Sequence, residues 1–153
     1  MAPIISTIEV ASPAEEAFFY IIDPSRMHEW QQGMTSGGHM DGAPVRVGSR
    51  CTTRRKIGGA HREVVTEITE YDPPRRWADH GIDGPIRAVV SVDVEPLADP
   101  GRSRVTIALD FEGRGIGKLL VPLVVRPSAR REMPSNMQAL KRQLESGAGV
   151  GVG

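Results

Sequence analysis

The order of segments constrains this chain most: an alternating strand, two short helical stretches, a long succession of strands between turn residues, and one amphipathic helix at the end. Consecutive hairpins build an antiparallel sheet, and clean alternation makes one of its faces wet and leaves the other in need of a cover. The final helix is the segment able to supply that cover. The order therefore predicts an α+β fold, a curved antiparallel sheet of about seven strands wrapped around a long C-terminal helix, with two short helices after the first strand.

Local chemistry supports each segment. Ile4, Ile8 and Val10 share one face of a first strand. Ser12-Pro13-Ala14-Glu15 then reads as a serine cap, a proline at the first helical position and an acid in the first turn, so a helix follows to about Ile22. Pro24 to about Gln32 predicts a second short helix, and Thr35 to Met40 one weak strand. Strands are then expected over Gly48 to Ile57, Arg62 to Tyr71, Arg75 to Ile82, Arg87 to Glu95 and Ser103 to Glu112, separated by Gly-Gly, Asp-Pro-Pro, Asp-Gly-Pro and Asp-Pro-Gly turns. From Pro127 onward Met133, Met137, Leu140 and Leu144 fall on one helical stripe, with Arg130, Arg131, Lys141 and Arg142 off it. Pro134 predicts a bend or restart, and Gly117 to Val125 an apolar approach to this helix.

At 153 residues the chain has room for one domain, placed over 1–146, and the glycine-rich run 147–153 reads as a flexible tail. Nineteen basic and nineteen acidic side chains cancel, so no net field draws nucleic acid. The single Cys51 excludes an internal disulfide. Neither a secretory signal pattern nor a bilayer-length apolar run occurs, so a cytoplasmic location without membrane insertion is expected.

Asp23-Pro24 to Trp30, then Val64-Val65-Thr66-Glu67-Ile68-Thr69-Glu70-Tyr71-Asp72-Pro73-Pro74, and finally Asn136-Met137-Gln138-Ala139-Leu140-Lys141-Arg142-Gln143-Leu144-Glu145 form a further pattern. Together they resemble the START-like, or SRPBCC, superfamily of Bet v 1-like helix-grip proteins, and most closely its polyketide cyclase/dehydrase-like subgroup. The resemblance implies a deep pocket between the sheet and the last helix. Aromatase/cyclases and lipid or hormone binders share that fold, so membership leaves enzyme and carrier both open.

Trp30, Met34, Trp77, Val90, Val92, Leu109, Met133 and Met137 are the expected pocket walls, methionine being suited to varied apolar shapes. The same methionine stripe also fits plain core. Arg55, His80 and Glu63 are the candidate catalytic residues if they point inward: an arginine to hold a carboxylate or phenolate, a histidine to exchange a proton. A one-residue slip in register would turn each of them to the other face. His61-x-Glu63 provides two ligand types without a third, so no metal and no cofactor is expected. Gly113-x-Gly115-x-Gly117-Lys118 fails the phosphate-loop pattern at Glu112 and at Leu119 and reads as a flexible link. Cys51, with no base beside it, reads as a small core residue.

The first expectation is a binder of a small lipophilic or polyketide-like molecule, as a monomer or homodimer. A polyketide aromatase/cyclase or dehydratase using the same cavity is the alternative. The ranking rests on the valine, isoleucine and leucine of the dry faces, which offer a reaction few hydrogen-bonding groups. A third possibility is an interaction module that pairs through a sheet edge or the Gly33 to Gly48 loop.

Overall fold

Seven strands carry the alternation into three dimensions in a computed structural model that describes residues 2–42, 44–57 and 60–147. The chain runs β1 (Ile4–Val10), α1 (Ala14–Ile21), a 3-10 turn (Met27–Glu29), β2 (Met34–Met40), β3 (Arg50–Ile57), β4 (Ala60–Asp72), β5 (Arg76–Gly81), β6 (Ile86–Pro96) and β7 (Ser103–Gly113). It closes with α2 (Gly117–Leu120), a π turn (Val121–Val125) and α3 (Arg126–Glu145). The described strands form one antiparallel sheet in the order β1-β7-β6-β5-β4-β3-β2, a meander whose first strand returns to the edge beside the last. This is the helix-grip arrangement.

The sheet's two faces differ as the alternation requires. Val90, Val92 and Val94 of β6 stand opposite Leu109, Ile107 and Val105 of β7 on the inner face. The stripe of α3 packs there, and Met137, Leu140 and Leu144 join Phe18, Ile21, Ile68 and Trp77 in a single core. Each large apolar side chain so enclosed contributes about 1.5–3 kcal/mol. On the outer face polar pairs tie neighbouring strands: Arg104 to Glu9 at 2.9 Å, Arg76 to Asp93 at 2.6 Å, and Thr7 to Thr106 at 3.2 Å.

Several local expectations are corrected. Helix α1 starts at Ala14 with Pro13 at its cap position, while the Ser12 carbonyl accepts a hydrogen bond from the Ser103 hydroxyl at 2.9 Å. The expected second helix shrinks to the 3-10 turn, because Asp23 accepts from both the backbone N–H and the hydroxyl of Ser25 and draws the chain into a turn. Helical structure begins at Gly117 rather than near Pro127, and it continues through Pro134. Pro134 is exposed, so the Arg130 carbonyl that it leaves without an amide partner lies on the water side of the helix. Of the expected tail, residues 148–153 lie outside the described residues, as do the two turn glycines at 58 and 59.

The Gly113 to Gly117 segment, expected as a flexible link, is packed backbone against backbone at its two end glycines, while Gly115 between them faces open space. A Cβ on Gly117 would stand 1.9 Å from the Pro85 carbonyl oxygen, and one on Gly113 would stand 2.3 Å from the Gly117 carbonyl oxygen. Backbone here touches backbone, which leaves no space for a side chain. Beyond it Arg126, 3% exposed, donates to Asp110 at 2.5 Å and to the Ala2 carbonyl, fastening the start of α3 to β7 and the N-terminal segment. At the other end the Lys141 ammonium donates to the Glu9 carbonyl at 2.6 Å and Glu145 accepts from the Ala11 N–H at 2.9 Å. Helix α3 is thus held to the sheet at both ends.

Candidate functional site

Between these fastenings, the inner face changes character across the sheet. Toward β6 and β7 it is valine, isoleucine and leucine; toward β3, β4 and β5 it carries Cys51, Thr53, Arg55, Thr66 and Asp79. Register produces this half. Cys51 stands opposite Thr66, Thr53 opposite Val64, and Ile68 opposite Asp79, so all of them share the buried face with Trp77. An irregularity between Ile68 and Glu70 then shifts the pairing so that Tyr71 stands opposite Trp77. One extra residue re-aims the strand, and Ile68 and Tyr71 both reach the core although they are an odd number of residues apart.

Asp79 is the most unusual group of this set. It is 5% exposed; the Thr66 hydroxyl donates to its Oδ2 at 2.7 Å, and its Oδ1 meets no hydrogen-bond partner among the described residues. Burial pushes its carboxyl up to about 7, against the smaller opposing pulls of the Thr66 hydrogen bond, Arg55 and His80. Near neutral pH it therefore passes between a hydrogen-bond donor and an acceptor. Cys51, 2% exposed on the next strand but one, has its thiol pushed up to about 12 by burial first and the Asp79 charge second. It is an inert core thiol at physiological pH, as its sequence surroundings imply.

Arg55 reaches inward from β3, directly opposite Met34 of β2. Its Nη2 donates to the Gln31 side-chain carbonyl at 2.6 Å, and burial lowers its pKa while Glu132 of α3 and Asp79 act to raise it. Gln32, the next residue, takes its backbone N–H to Asn136 at 3.0 Å and its side-chain amide to Ser135 at 3.1 Å, both on α3. The Gln31-Gln32 pair thus bridges β3 and the helix. Beside it Tyr20 donates to Glu29 at 2.8 Å while the Arg26 guanidinium lies 4.6 Å from the Tyr20 ring centre, bracing the 3-10 turn that carries Trp30.

The residues expected as pocket walls gather in one place. Trp30, Met34, Trp77, Val92, Met133 and Met137 are buried members of the core, and Val90 and Leu109 are partly buried against it. The indole N–H groups of Trp30 and Trp77 are buried and find no acceptor among the described residues.

Two of the three catalytic candidates lie on the outer face of the sheet. His80 follows Asp79 and therefore points outward, where its Nε2 meets Glu112 at 2.8 Å. Glu63 stands opposite Arg54 on that same outer face. The cause is strand periodicity: a residue next to an inward one faces out.

Sequence reasoning missed Asp79, although a signal was present. Trp77 was an expected wall, and in a regular strand the residue two positions on shares its face. The same rule separates His80 from Trp77. No group of three or more metal-ligating side chains occurs among the described residues. Two surface clefts, of about 520 Å³ along residues 41–50 and about 350 Å³ beside Val65 and Ile82, lie away from the inner face. No helix among the described residues is long and apolar enough to cross a membrane.

Comparison with known proteins agrees with the fold. The ZhuI aromatase/cyclase of Streptomyces sp. R1128 superposes with a TM-score of 0.75 at 13% identity, covering 95% of this chain and 94% of its own. The di-domain ARO/CYC BexL from the BE-7585A biosynthetic pathway gives 0.71 at 18% identity over 95% of this chain and 47% of its own. A conserved protein from Geobacillus kaustophilus gives 0.69 at 18% identity, covering 94% and 95%. At these identities the likeness is one of fold. No curated protein matches the sequence. The family described as polyketide cyclase / dehydrase and lipid transport matches residues 1–145, and the chain belongs to that family.

Proposed function

We propose that this protein binds a small, largely apolar molecule between the inner face of the sheet and α3, with the polar half of that face holding the molecule's oxygen atoms. The observation that carries the reading is the Arg55 guanidinium turned inward beneath α3 while the buried indole N–H groups of Trp30 and Trp77 lack acceptors among the described residues. Native interiors pair nearly all their buried donors, so unmatched ones among apolar walls mark a place where a ligand supplies the missing atoms. Trp30, Met34, Trp77, Val90, Val92, Leu109, Met133 and Met137 supply apolar contact, and Arg55 a counter-charge for a carboxylate, phenolate or enolate oxygen.

A second reading has its own support. The inner face is richer in polar groups than its β6 and β7 strands suggest, and Arg55 with Asp79 provides a fixed positive charge and a titrating acid. Cyclisation or dehydration of a poly-keto chain requires an enolate to be stabilised and a proton moved, in a site that excludes water. An aromatase/cyclase or dehydratase role in the same space therefore stands as the alternative.

Native mass spectrometry of the protein from its natural host tests the binding reading, with Met137→Trp as the blocked control, since Met137 is 1% exposed at the centre of the helix stripe. The wild type should carry a lipophilic passenger in equimolar amount. The variant, shown by circular dichroism to be folded, should lose at least nine-tenths of it. Equal occupancy in both would remove the space beneath α3 as the site. A folded wild type with no passenger, yet able to turn over a poly-keto thioester, would favour the enzyme.

A further inference from the structure

Asp79 holds a polar atom in the interior that no structural need explains. Its Oδ2 is fixed by Thr66, so the carboxyl cannot rotate freely and Oδ1 is presented in a set direction on the inner face. Its neighbours there do not relieve it. Ile68 stands opposite on β4 and Val90 opposite on β6, both apolar, while Trp77 is two residues back on the same face. Leaving a buried carboxyl oxygen without a partner costs about 1–3 kcal/mol, more when it is charged. A hydrocarbon-shaped side chain at this position would avoid that cost. Retaining the oxygen makes sense if the occupant of the space completes it.

We propose that Asp79 is the specificity-determining residue of this site, its Oδ1 pairing with a keto or hydroxyl oxygen of the bound molecule so that a flat, oxygenated apolar ligand is chosen over a hydrocarbon of the same shape. The inference rests on the binding reading above and deepens it. A neutral carboxyl donates to a ketone; a carboxylate accepts from a hydroxyl and repels a ketone. Because burial places the change between these forms near neutral pH, ketone binding weakens as pH rises through that range. The charged and titratable groups about Asp79 are Arg55 and the Cys51 thiol on β3, Glu132 acting from α3 through Arg55, and His80 on its own strand but turned to the outer face. Arg55 stays cationic throughout, and the Cys51 thiol stays neutral.

The test uses the two tryptophans of the chain, Trp30 and Trp77, as fluorescent reporters, both already inside the site. The probes are 2-acetylnaphthalene and its near-isostere 2-isopropylnaphthalene, titrated at pH 6 and pH 9 against wild type, Asp79→Leu, Asp79→Asn and the outer-face control His80→Ala. Wild type and His80→Ala should prefer the ketone by about tenfold at pH 6 and lose most of that preference at pH 9. Asp79→Leu should bind both probes alike, with hydrocarbon affinity close to wild type. Asp79→Asn, whose amide donates at every pH, should keep the preference at both values. If wild type binds both probes equally at pH 6, Oδ1 is met by water, and the proposal falls while the binding site stands. If neither probe binds folded wild type, the binding reading itself fails and takes this one with it. Loss of the pH effect in His80→Ala would assign it to the imidazole and overturn the role of Asp79.

Discussion

Asp79→Asn should stabilise the ligand-free protein by about 2–4 kcal/mol at pH 8, while the two proteins should differ little at pH 4. The carboxyl is raised from its ordinary 3.8 to about 7, chiefly by burial, and a displacement of that size corresponds to at most about 4 kcal/mol. The sign follows from proton counting. Between those two values the folded state holds a proton that the unfolded chain has released, so folding stability falls as pH rises through the window. Above about 7 the whole penalty is present; below 3.8 it is absent. Asparagine matches aspartate in size, still accepts from the Thr66 hydroxyl, and carries no charge to bury. Urea unfolding at pH 4, 6 and 8 reads the difference directly. A gap between variant and wild type that stays constant over that range would show that the carboxyl does not carry the burden assigned to it. A gain in stability from losing an inner-face acid is the usual mark of a residue kept for binding rather than for folding.

A loss of stability is expected from Gly117→Ala, about 3 kcal/mol or more, because the added methyl would lie 1.9 Å from the Pro85 carbonyl oxygen and 2.7 Å from its carbon. Both are backbone atoms that no side-chain rotation can move aside. The Arg114 N–H donates to that same Pro85 oxygen at 2.8 Å, so displacing the loop also breaks the link between the β7 end and the turn before β6. Lys118→Ala, one position on and exposed, should change stability by less than about 0.5 kcal/mol. Thermal melts of the two variants provide the comparison. A Gly117→Ala protein as stable as Lys118→Ala would mean that this joint yields far more easily than its backbone contacts indicate. In the same run the N–H groups of Arg114, Gly117 and Lys118 donate to the Pro85, Arg114 and Gly115 carbonyls.

Each of these effects turns on a contact between segments far apart in the chain. Strand positions were legible because they depend on neighbours: β6 and β7 lie within a residue of where alternation puts them, bounded by Asp-Gly-Pro and Asp-Pro-Gly turns. The stripe Met133, Met137, Leu140 and Leu144 was legible for the same reason, and all four side chains are buried. The polar half of the inner face was not. In β5 Trp77, Ala78 and Asp79 are all buried, so exposure there does not alternate even though the strand does. The valine, isoleucine and leucine of β6 and β7 made the dry face look apolar, and without alternation in β5 its register stayed open, so His80 could be named as a candidate and Asp79 was not.

The sequence by itself determined the succession of strands, the inner faces of β1, β6 and β7 and the apolar stripe of the last helix. These follow from side-chain period and turn chemistry, both set within a few residues. Tertiary structure alone decided which strand residues stand opposite one another, where β4 shifts its pairing, how Gln31 and Gln32 join Arg55 to α3, and that helical structure begins as early as Gly117. It likewise decided that one oxygen of Asp79 is bonded to Thr66 and that the other meets no partner among the described residues. Pairing register and buried desolvation arise from partners brought together by folding, and no local pattern encodes them.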